Sequence, residues 1–249
     1  MSPPLFWVDD VGSAGSDITL AGPEGRHAVT VTRLAVGEAI TLGDGRGSTA
    51  HCEVTAISGK DTLIAHAHTV TYTHPPRPFV TVVQALPKAE RSELAVDLAT
   101  EAGADRLVPW QAARCVARWT GKSEKGIAKW TAAATAAAKQ SRRPWVPEIA
   151  PLATTTDIRA RCADVIAVGG VVAVLHELGA TPIRELPLAE APEVLLVIGP
   201  EGGLDDAEIA DLTALGATSV ILGPQVLRTS TAAAVALGAL GVLTERWDR

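Results

Sequence analysis

The pattern of this sequence changes at a proline-rich segment, Thr73-His74-Pro75-Pro76-Arg77-Pro78. Before it, short runs rich in valine, isoleucine and threonine alternate with glycine-containing turns, which is typical of a small barrel. A helical stretch, Glu24–Leu34, interrupts these runs, which are Leu5–Val8, Ala39–Leu42, Ala50–Ile57 and Thr62–Tyr72. Because closely spaced prolines favour an extended linker, we expect a β-rich first domain over residues 1–74 and a second domain over residues 75–249.

After the linker, apolar runs of strand length alternate with helical patterns. The predicted strands are Val80–Leu86, Leu107–Pro109, Val172–Leu175, Val194–Ile198 and Ser219–Leu222. The predicted helices are Lys88–Gly103, Ile127–Gln140, Asp205–Leu215, which begins with the capping-box pair Asp205 and Glu208, and Thr229–Arg246. Strands that are apolar throughout are typical of a parallel sheet covered on both faces, so the second domain is predicted to be α/β.

Charge is distributed unevenly along the chain. The 22 basic and 28 acidic residues give a net charge of −6. Between Arg106 and Arg143, however, nine basic residues face one acidic residue, a local charge of +8 that leaves −14 elsewhere. A solvated helix face would explain part of this cluster. Arg118, Arg142 and Arg143, which lie near tryptophans, favour a surface that contacts phosphates.

The N-terminal residues, Met1–Leu5, contain no basic segment followed by a long apolar run, so we expect no secretory signal. The most apolar stretches, Val165–Leu175 and Ala232–Leu243, are shorter than the roughly 20 residues that a bilayer requires. We therefore expect a cytoplasmic protein that does not associate with membranes.

Neither the cysteines nor the histidines predict a metal site. Cys52, Cys115 and Cys162 are odd in number and far apart, so we interpret them as ordinary buried thiols. His66 and His68 alternate in a predicted strand, but no third ligand accompanies them.

Three strand ends of the second domain carry the residues that favour a binding site: Val174–Glu177, Ile198–Gly203 and Leu222–Thr229. Parallel α/β sheets bind ligands at the carboxyl ends of their strands, where glycine allows close approach of the backbone. Gly-Pro turns are also ordinary strand-to-helix connections. Two of them at successive strand ends, with Arg228 before the last helix, favour a functional site. No GxGxxG motif follows a strand, which disfavours a standard dinucleotide site.

At these loops the sequence resembles the SPOUT methyltransferases, and most closely the ribosomal RNA small subunit methyltransferase E family. The matching segments are Ile198–Gly203 with Glu208-Ile209, Leu222–Ala232, Leu175–Glu177, Lys139–Arg143 and the pattern His27…Arg33-Leu34…Gly37. They occur in the family's order over essentially the whole chain.

The resemblance implies a PUA-like β-barrel followed by a SPOUT-type parallel sheet with a C-terminal trefoil knot. It also implies a homodimer that uses S-adenosylmethionine (SAM) to methylate N3 of a uridine, uridine 1498 in rRNA numbering, in the 16S rRNA of the small ribosomal subunit. No metal is implied. A ribose 2′-O-methyltransferase remains an alternative because the donor loops do not report the acceptor atom. A non-catalytic RNA-binding or ribosome-assembly protein is a further alternative.

Site residues follow from the resemblance and from the charge pattern. Donor-binding residues are expected at Leu175, His176, Glu177, Ile198, Gly199, Pro200, Gly202, Gly203, Leu222, Gly223, Pro224, Val226, Leu227 and Thr231. RNA-binding residues are expected at Arg33, Arg114, Arg118, Gln140, Arg142 and Arg143. Deprotonation of uridine N3 leaves negative charge on the flanking carbonyl oxygens, and Arg228 is the candidate to stabilise it. Glu201 is a candidate for proton acceptance or orientation, although it could equally cap its own loop.

Two positions depart from the family pattern. The family usually has arginine at Gln225 and glutamate at Ser230. Roles that depend on those two charges are therefore not carried over to this chain.

Overall fold

The computed structural model describes residues 3–248, with the side chains of Ala89 and Glu90 left undescribed. Three residues lie outside the described part of the chain: Met1, Ser2 and Arg249. The first two belong to the N-terminal segment in which no secretory signal is expected, and the third ends the predicted second domain. The chain forms two compact units. The first contains residues up to 75 together with 138–146, and the second contains the remainder. The sequence-based boundary placed residues 138–146 in the second domain.

The first unit contains a five-stranded sheet in the order β1-β3-β4-β5-β2, in which β1 pairs with β3 in parallel and the other pairs are antiparallel. Its strands are β1 (Leu5–Trp7), β2 (Asp17–Leu20), β3 (Ala39–Gly43), β4 (Ser48–Ser58) and β5 (Thr62–Tyr72). Phe6 of β1 and Leu20 of β2 lie in one buried core with residues of the other three strands. This shared core confirms the prediction of a β-rich first unit.

The predicted helix Glu24–Leu34 is shorter and more irregular than expected. A short α-helix, α1 (Gly22–Arg26), continues into a π-helical turn, His27–Val31. Gly25 lies so close to other backbone that a Cβ there would meet the carbonyl oxygen of Asp61. This close packing fixes α1 against the end of the β4–β5 hairpin.

The second unit contains a seven-stranded sheet, entirely parallel, in the order β10-β12-β9-β11-β6-β7-β8. Its strands are β6 (Phe79–Ala85), β7 (Arg106–Trp110), β8 (Glu148–Ile149), β9 (Val171–Leu175), β10 (Thr181–Pro182), β11 (Glu193–Ile198) and β12 (Thr218–Ile221). Its helices are α2 (Ala89–Glu101), α3 (Ser123–Gln140), which ends in the first unit, α4 (Thr155–Ala167), α5 (Asp206–Ala214) and α6 (Thr229–Leu243). The predicted α/β fold with a parallel sheet is confirmed.

Successive residues of β6 and β11 are buried along almost the whole of both strands. Because successive side chains of a strand point to opposite faces, both faces of this sheet are covered. Helix α6 packs against β6 and β11 and also contacts α2, while α4 and α5 contact each other and pack against β9, β11 and β12. The apolar runs noted in the sequence are thus core strands.

Two capping boxes begin helices in this unit. The predicted pair Asp205 and Glu208 caps α5, with Asp205 Oδ1 accepting from the Ala207 amide. A second box, Thr154 with Asp157, begins α4, a helix that the sequence reading missed. Each box satisfies backbone amides that the first helical turn leaves without partners.

The short 3-10 turn Glu245–Trp247, which follows helix α6, is fixed by a buried ion pair. Arg246 Nη1 lies 2.8 Å from Asp105 Oδ2, and Asp105 also accepts a hydrogen bond from the Val80 amide at the start of β6. Both charged side chains are almost fully buried. Removing one partner of such a pair leaves an uncompensated buried charge, so this contact holds the turn after α6 firmly in place.

Within the described residues, no helix is long and apolar enough to span a bilayer. The three cysteines are free and buried, which confirms their interpretation. Burial raises the pKa of the Cys52 and Cys162 thiols to about 11, and it also raises the pKa of Cys115.

Candidate active site

Three strand ends lie side by side at the carboxyl edge of the parallel sheet. Leu175 at the end of β9 pairs in register with Ile198 at the end of β11 and with Val220 near the end of β12. On the other side of β11, Ile198 is in register with Gln84 of β6. The loops that follow these strands therefore emerge together, where α/β sheets bind ligands.

A cavity of about 660 Å³ lies among these loops. It is lined by predicted site residues from all three loops: Leu175, His176, Glu177, Ile198, Gly199, Pro200, Glu201, Gly202, Gly203, Leu222, Gly223, Pro224, Val226, Leu227 and Arg228. Thr231 is not among the described lining residues; its hydroxyl lies 3.1 Å from the Arg228 carbonyl oxygen, to which it donates. Of the two positions that differ from the family pattern, Gln225 lines the cavity, whereas Ser230 is buried in the first turn of α6.

Thr229, which belongs to the predicted loop Leu222–Thr229, also lines the cavity. Further lining residues were missed by the sequence analysis: Lys88, Arg91, Leu204, Val220, Ile221 and Ala232. Lys88 and Arg91 begin the helix that follows β6, a strand whose end carries no glycine-rich turn. In the sequence, Lys88 and Arg91 are marked only by their position after a buried parallel strand. Every strand-to-helix loop of the sheet shares that feature, so it does not single them out.

The segment Gly199–Leu204, called the glycine loop below, is fixed to helix α6 by a buried polar chain. The Thr229 hydroxyl donates to the Gly199 carbonyl oxygen at 2.5 Å, and it accepts from Gln84 Nε2 at 3.0 Å. Gln84 is 1% exposed. A buried hydrogen bond of this kind is costly to break, so the chain fixes the glycine loop relative to α6.

The glycine loop itself has the geometry of a tight turn. The Gly203 amide donates to the Pro200 carbonyl at 2.9 Å, and Gly203 has a positive φ of 73°. A Cβ on Gly199 would lie 3.0 Å from the Leu204 side chain. Glycine at these two positions allows the backbone itself to line the cavity.

Glu201 connects the glycine loop with helix α2. Its Oε1 accepts a hydrogen bond of 2.9 Å from the backbone amide of Lys88, the residue that caps α2. A carboxylate near the amino end of a helix is also stabilised by the helix dipole. This contact gives Glu201 an orienting role in the structure.

Arg228 is the N-cap residue of α6, and its side chain is exposed at the cavity. Within the described part of the chain, its guanidinium makes no hydrogen bond or ion pair. The side-chain hydroxyl of its neighbour Thr229 is held by the polar chain described above. The guanidinium of Arg228, free among the described residues, therefore lies at the cavity, next to a residue whose side chain is fixed.

The loop after β9 is held against β12. The His176 amide donates to the Val220 carbonyl at 3.1 Å, and His176 Nδ1 accepts from the Leu178 amide at 3.3 Å. A Cβ on Gly179 would meet the Val220 backbone at 2.5 Å, so only glycine permits this close approach.

The predicted RNA-binding residues are divided between the two units. Arg33, Gln140, Arg142 and Arg143 belong to the first unit, and Arg114 and Arg118 belong to the second. Among the described non-glycine residues, Arg33 and Arg142 alone have a positive φ, 60° and 57° respectively. Backbone strain of this kind is concentrated at functional sites, although it does not identify a ligand.

Lys139, one of the nine residues of the basic cluster, is not a free cation. Its Nζ lies 2.7 Å from Glu24 Oε2 and 3.1 Å from His27 Nδ1, and it stands 4.7 Å above the Phe6 ring. Glu24 also accepts from the Trp7 amide. Lys139 therefore stabilises the first unit, and it cannot simply be counted among phosphate contacts.

The described residues contain no cluster of three or more histidine, cysteine or carboxylate side chains that could hold a metal ion. His66 pairs with Asp17 at 2.8 Å, and His68 lies 3.8 Å from Glu53. Each histidine thus has a carboxylate neighbour of its own.

Two family models match the chain. The RNA methyltransferase domain matches residues 74–241, and the RNA methyltransferase PUA domain matches residues 20–66. The second match agrees with the PUA-like first unit that was expected.

Among named relatives, the ribosomal RNA small subunit methyltransferase E of Mycobacterium bovis is 50% identical over 245 residues, which is 98% of this chain and 93% of the relative. The protein of the same name from Bacillus subtilis is 32% identical and covers 91% of this chain and 90% of its own length.

Solved structures are also similar. A Legionella pneumophila methyltransferase in complex with the cofactor SAM superposes with a TM-score of 0.82 at 26% identity, covering 98% of this chain and 99% of its own. A ribosomal RNA small subunit methyltransferase E from Neisseria gonorrhoeae, bound to SAM, has a TM-score of 0.85 with 98% of each chain covered. At 23% identity, this second likeness shows the shared fold.

Proposed function

The chain belongs to the ribosomal RNA small subunit methyltransferase E family and is a methyltransferase, and from this we propose that it transfers the methyl group of SAM to N3 of a uridine, uridine 1498 in rRNA numbering, in 16S rRNA. One observation carries the proposal: the loops after β9, β11 and β12 converge on a single cavity, with the free cation of Arg228 at its edge.

The cavity fits SAM in size and in chemistry. Its volume of about 660 Å³ lies within the range of small-molecule sites, roughly 300–1,000 Å³. Its lining combines apolar residues such as Leu175, Ile198 and Leu227 with the residues of the glycine loop. The backbones of Leu175–Glu177, Ile198–Gly203 and Leu222–Leu227 would hold the adenosine and methionine parts.

When bound, SAM supplies an electrophilic methyl group on a positively charged sulfur. The protein's own contribution is then to hold the acceptor nitrogen in line with that group, because methyl transfer gains much of its acceleration from positioning. Uridine N3 must also lose its proton, which passes to solvent water in this proposal, and negative charge then spreads to the flanking carbonyl oxygens. Arg228, with no competing partner among the described residues, stabilises that charge.

Glu201 acts by orientation in this proposal. Its Oε1 accepts from the Lys88 amide at 2.9 Å, so the carboxylate fixes the glycine loop against the start of α2. This contact supports a positioning role better than proton acceptance, since a general base must be free to reach the proton that it removes.

Arg33, Gln140, Arg142 and Arg143 of the first unit would contact rRNA, as would Arg118 of the second unit. Contacts between basic side chains and phosphates fix the position of a protein on RNA without reading its sequence. The PUA family match supports this assignment for the first unit. Because rRNA is the substrate, we place the activity in the cytoplasm.

The family resemblance also supports a C-terminal trefoil knot and a homodimer as parts of this proposal. Val235 and Val242 lie seven residues apart on α6 and are 43% and 76% exposed, which would suit a helix that packs against a second copy. Light scattering should give twice the chain mass of 25.8 kDa. A monomer mass at micromolar concentration would contradict the dimer.

The methyltransferase proposal is tested with tritium-labelled SAM and small ribosomal subunits from a strain that lacks this enzyme. We expect label in 16S rRNA and no label in subunits from the parent strain, whose site is already methylated. Calorimetry with SAM serves as a parallel test. Binding of RNA without binding of SAM would support the non-catalytic alternative and contradict the proposal.

A further inference from the structure

The glycine loop is held from three sides. The first contact is from Thr229 to Gly199, and the second is from Glu201 to the Lys88 amide. The third is made by Arg114, whose Nη1 donates to the Leu204 carbonyl oxygen at 3.0 Å. The sequence analysis predicted that Arg114 binds RNA.

Arg114 uses both ends of its guanidinium on the glycine loop and the residue after it. While Nη1 reaches the Leu204 carbonyl, Nη2 lies 3.1 Å from Asp205 Oδ2. A Cβ on Gly202 would lie 3.5 Å from the Cβ and the carbonyl oxygen of Arg114, so the two backbones run close together. The planar fork of arginine suits two adjacent acceptors of this kind.

The segment that carries Arg114 is itself anchored. The amide of Ala113 donates to Glu208 Oε1 at 2.9 Å, and the Thr155 hydroxyl lies 3.2 Å from the same oxygen. Glu208 is buried and also closes the capping box of α5. The backbone beside Arg114 is therefore fixed, so the contacts of its side chain can restrain the glycine loop.

Arg118, four residues further along, differs from Arg114 in its contacts. Its side chain is exposed and has no hydrogen bond or ion pair within residues 3–248. Two arginines of one basic segment thus have different environments, although their sequence context looks alike. Only Arg118 retains a free guanidinium for phosphate.

We infer that Arg114 is a positioning residue for the donor-binding loop, holding the Leu204 carbonyl and Asp205 so that the glycine loop is preformed for SAM. The inference rests on the proposed function, because the ligand of the loop is taken to be SAM. A preformed loop loses less conformational freedom on binding, so removing a support weakens the affinity without removing any ligand contact.

The test measures SAM affinity by calorimetry and steady-state kinetics for two variants. Arg114→Gln removes the fork, and Asp205→Asn removes the ion pair while keeping an oxygen that can accept from the Ala207 amide. We expect each to raise the Kd and KM for SAM, about tenfold for Arg114→Gln, since small misplacements at a site can cost on the order of 100-fold. The KM for the ribosomal subunit and the slope of RNA affinity against salt should not change.

Matched controls separate this role from general stability and from RNA binding. Arg159 and Asp211 form an ion pair of the same length, 3.1 Å, at similar exposure between α4 and α5. Arg159→Gln should leave the Kd for SAM unchanged. Arg118→Gln should weaken RNA binding and leave SAM binding unchanged, and Arg114→Lys, which can keep one of the two contacts, should restore part of the affinity.

Two results would overturn the inference: an unchanged Kd for SAM in Arg114→Gln, or a change confined to RNA affinity and its salt dependence. The second result would restore Arg114 to the RNA-binding set. Failure of the wild-type protein to bind SAM would instead contradict the proposed function, so the two failures are distinguishable.

Discussion

The hydroxyl of Thr229 donates a hydrogen bond to the carbonyl oxygen of Gly199 across 2.5 Å. This contact joins the first turn of α6, which carries the candidate catalytic Arg228 at its N-cap, to the glycine loop. The proposed donor site and the cation of Arg228 are therefore connected through this hydrogen bond. Gln84 supports the same hydroxyl from the end of β6.

Replacement of Thr229 by valine should weaken SAM binding and lower stability. The variant keeps the shape of the side chain but leaves Gln84 Nε2 and the Gly199 carbonyl without this partner, a cost of about 1–3 kcal/mol. Calorimetry and urea unfolding measure the two effects. Thr229→Ser keeps the hydroxyl and is the control; equal SAM affinity in the valine and serine variants would contradict the assigned role.

Replacement of Arg228 by alanine should keep the fold and the affinity for SAM but lower the rate of methyl transfer. Removing a group that stabilises developing charge costs roughly 100- to 1,000-fold in rate. Single-turnover assays on unmethylated small subunits measure this step directly. Full activity of the alanine variant would refute the role of Arg228, and Arg228→Lys should retain part of the rate because it keeps the charge.

Replacement of Lys139 by methionine should destabilise the first unit. Lys139 is 17% exposed and its partner Glu24 is 30% exposed, so the loss should be intermediate between surface and buried ion pairs, about 1–3 kcal/mol. The exposed pair of Lys129 and Glu93 provides the control: Lys129→Met should cost less than about 1 kcal/mol. Equal losses of the two variants in urea unfolding would contradict the stabilising role of Lys139.

Replacement of both Arg142 and Arg143 by glutamine should weaken RNA binding and flatten its dependence on salt. Each phosphate contact contributes to the slope of log affinity against log salt, by about 0.7 for single-stranded RNA. Binding titrations at several salt concentrations measure the slope. Arg184→Gln, at an exposed position in the second unit, is the control. A slope unchanged in the double variant would mean that these side chains do not contact phosphate.

Much of the second unit could be predicted because its signals are local. Apolar runs such as Val194–Ile198 identify core strands by composition alone. The glycine and proline residues of the Ile198–Gly203 and Leu222–Thr229 loops mark strand ends at which backbone can approach a ligand. These residues proved to line one cavity, as the rule for parallel sheets predicts.

Two other elements, α4 and β2, were not predicted, the first because its signal was not used and the second because its signal is weak. Helix α4 has its capping residue at Thr154 and buries Ile158, Cys162 and Val165 at helical spacing. The edge strand β2 has only four residues with alternating burial. Short edge strands of this kind give weak patterns, so their assignment depends on the partner strand.

The roles of individual charges could not be predicted, because they depend on contacts between residues distant in sequence. Lys139 and Glu24 are 115 positions apart, and Arg114 and Leu204 are 90 positions apart. In the sequence, such residues look alike because they belong to one basic cluster. In the structure, the guanidinium of Arg114 is paired, whereas that of Arg118 has no partner among the described residues.

In the function that we propose, this enzyme methylates N3 of a uridine in 16S rRNA. The most direct test is mass spectrometry of nucleosides from small subunits incubated with the purified protein and SAM carrying a deuterated methyl group, using subunits from a strain without this enzyme. We predict one deuterated product, N3-methyluridine. A deuterated 2′-O-methyl nucleoside, or no labelled nucleoside at all, would contradict the claim.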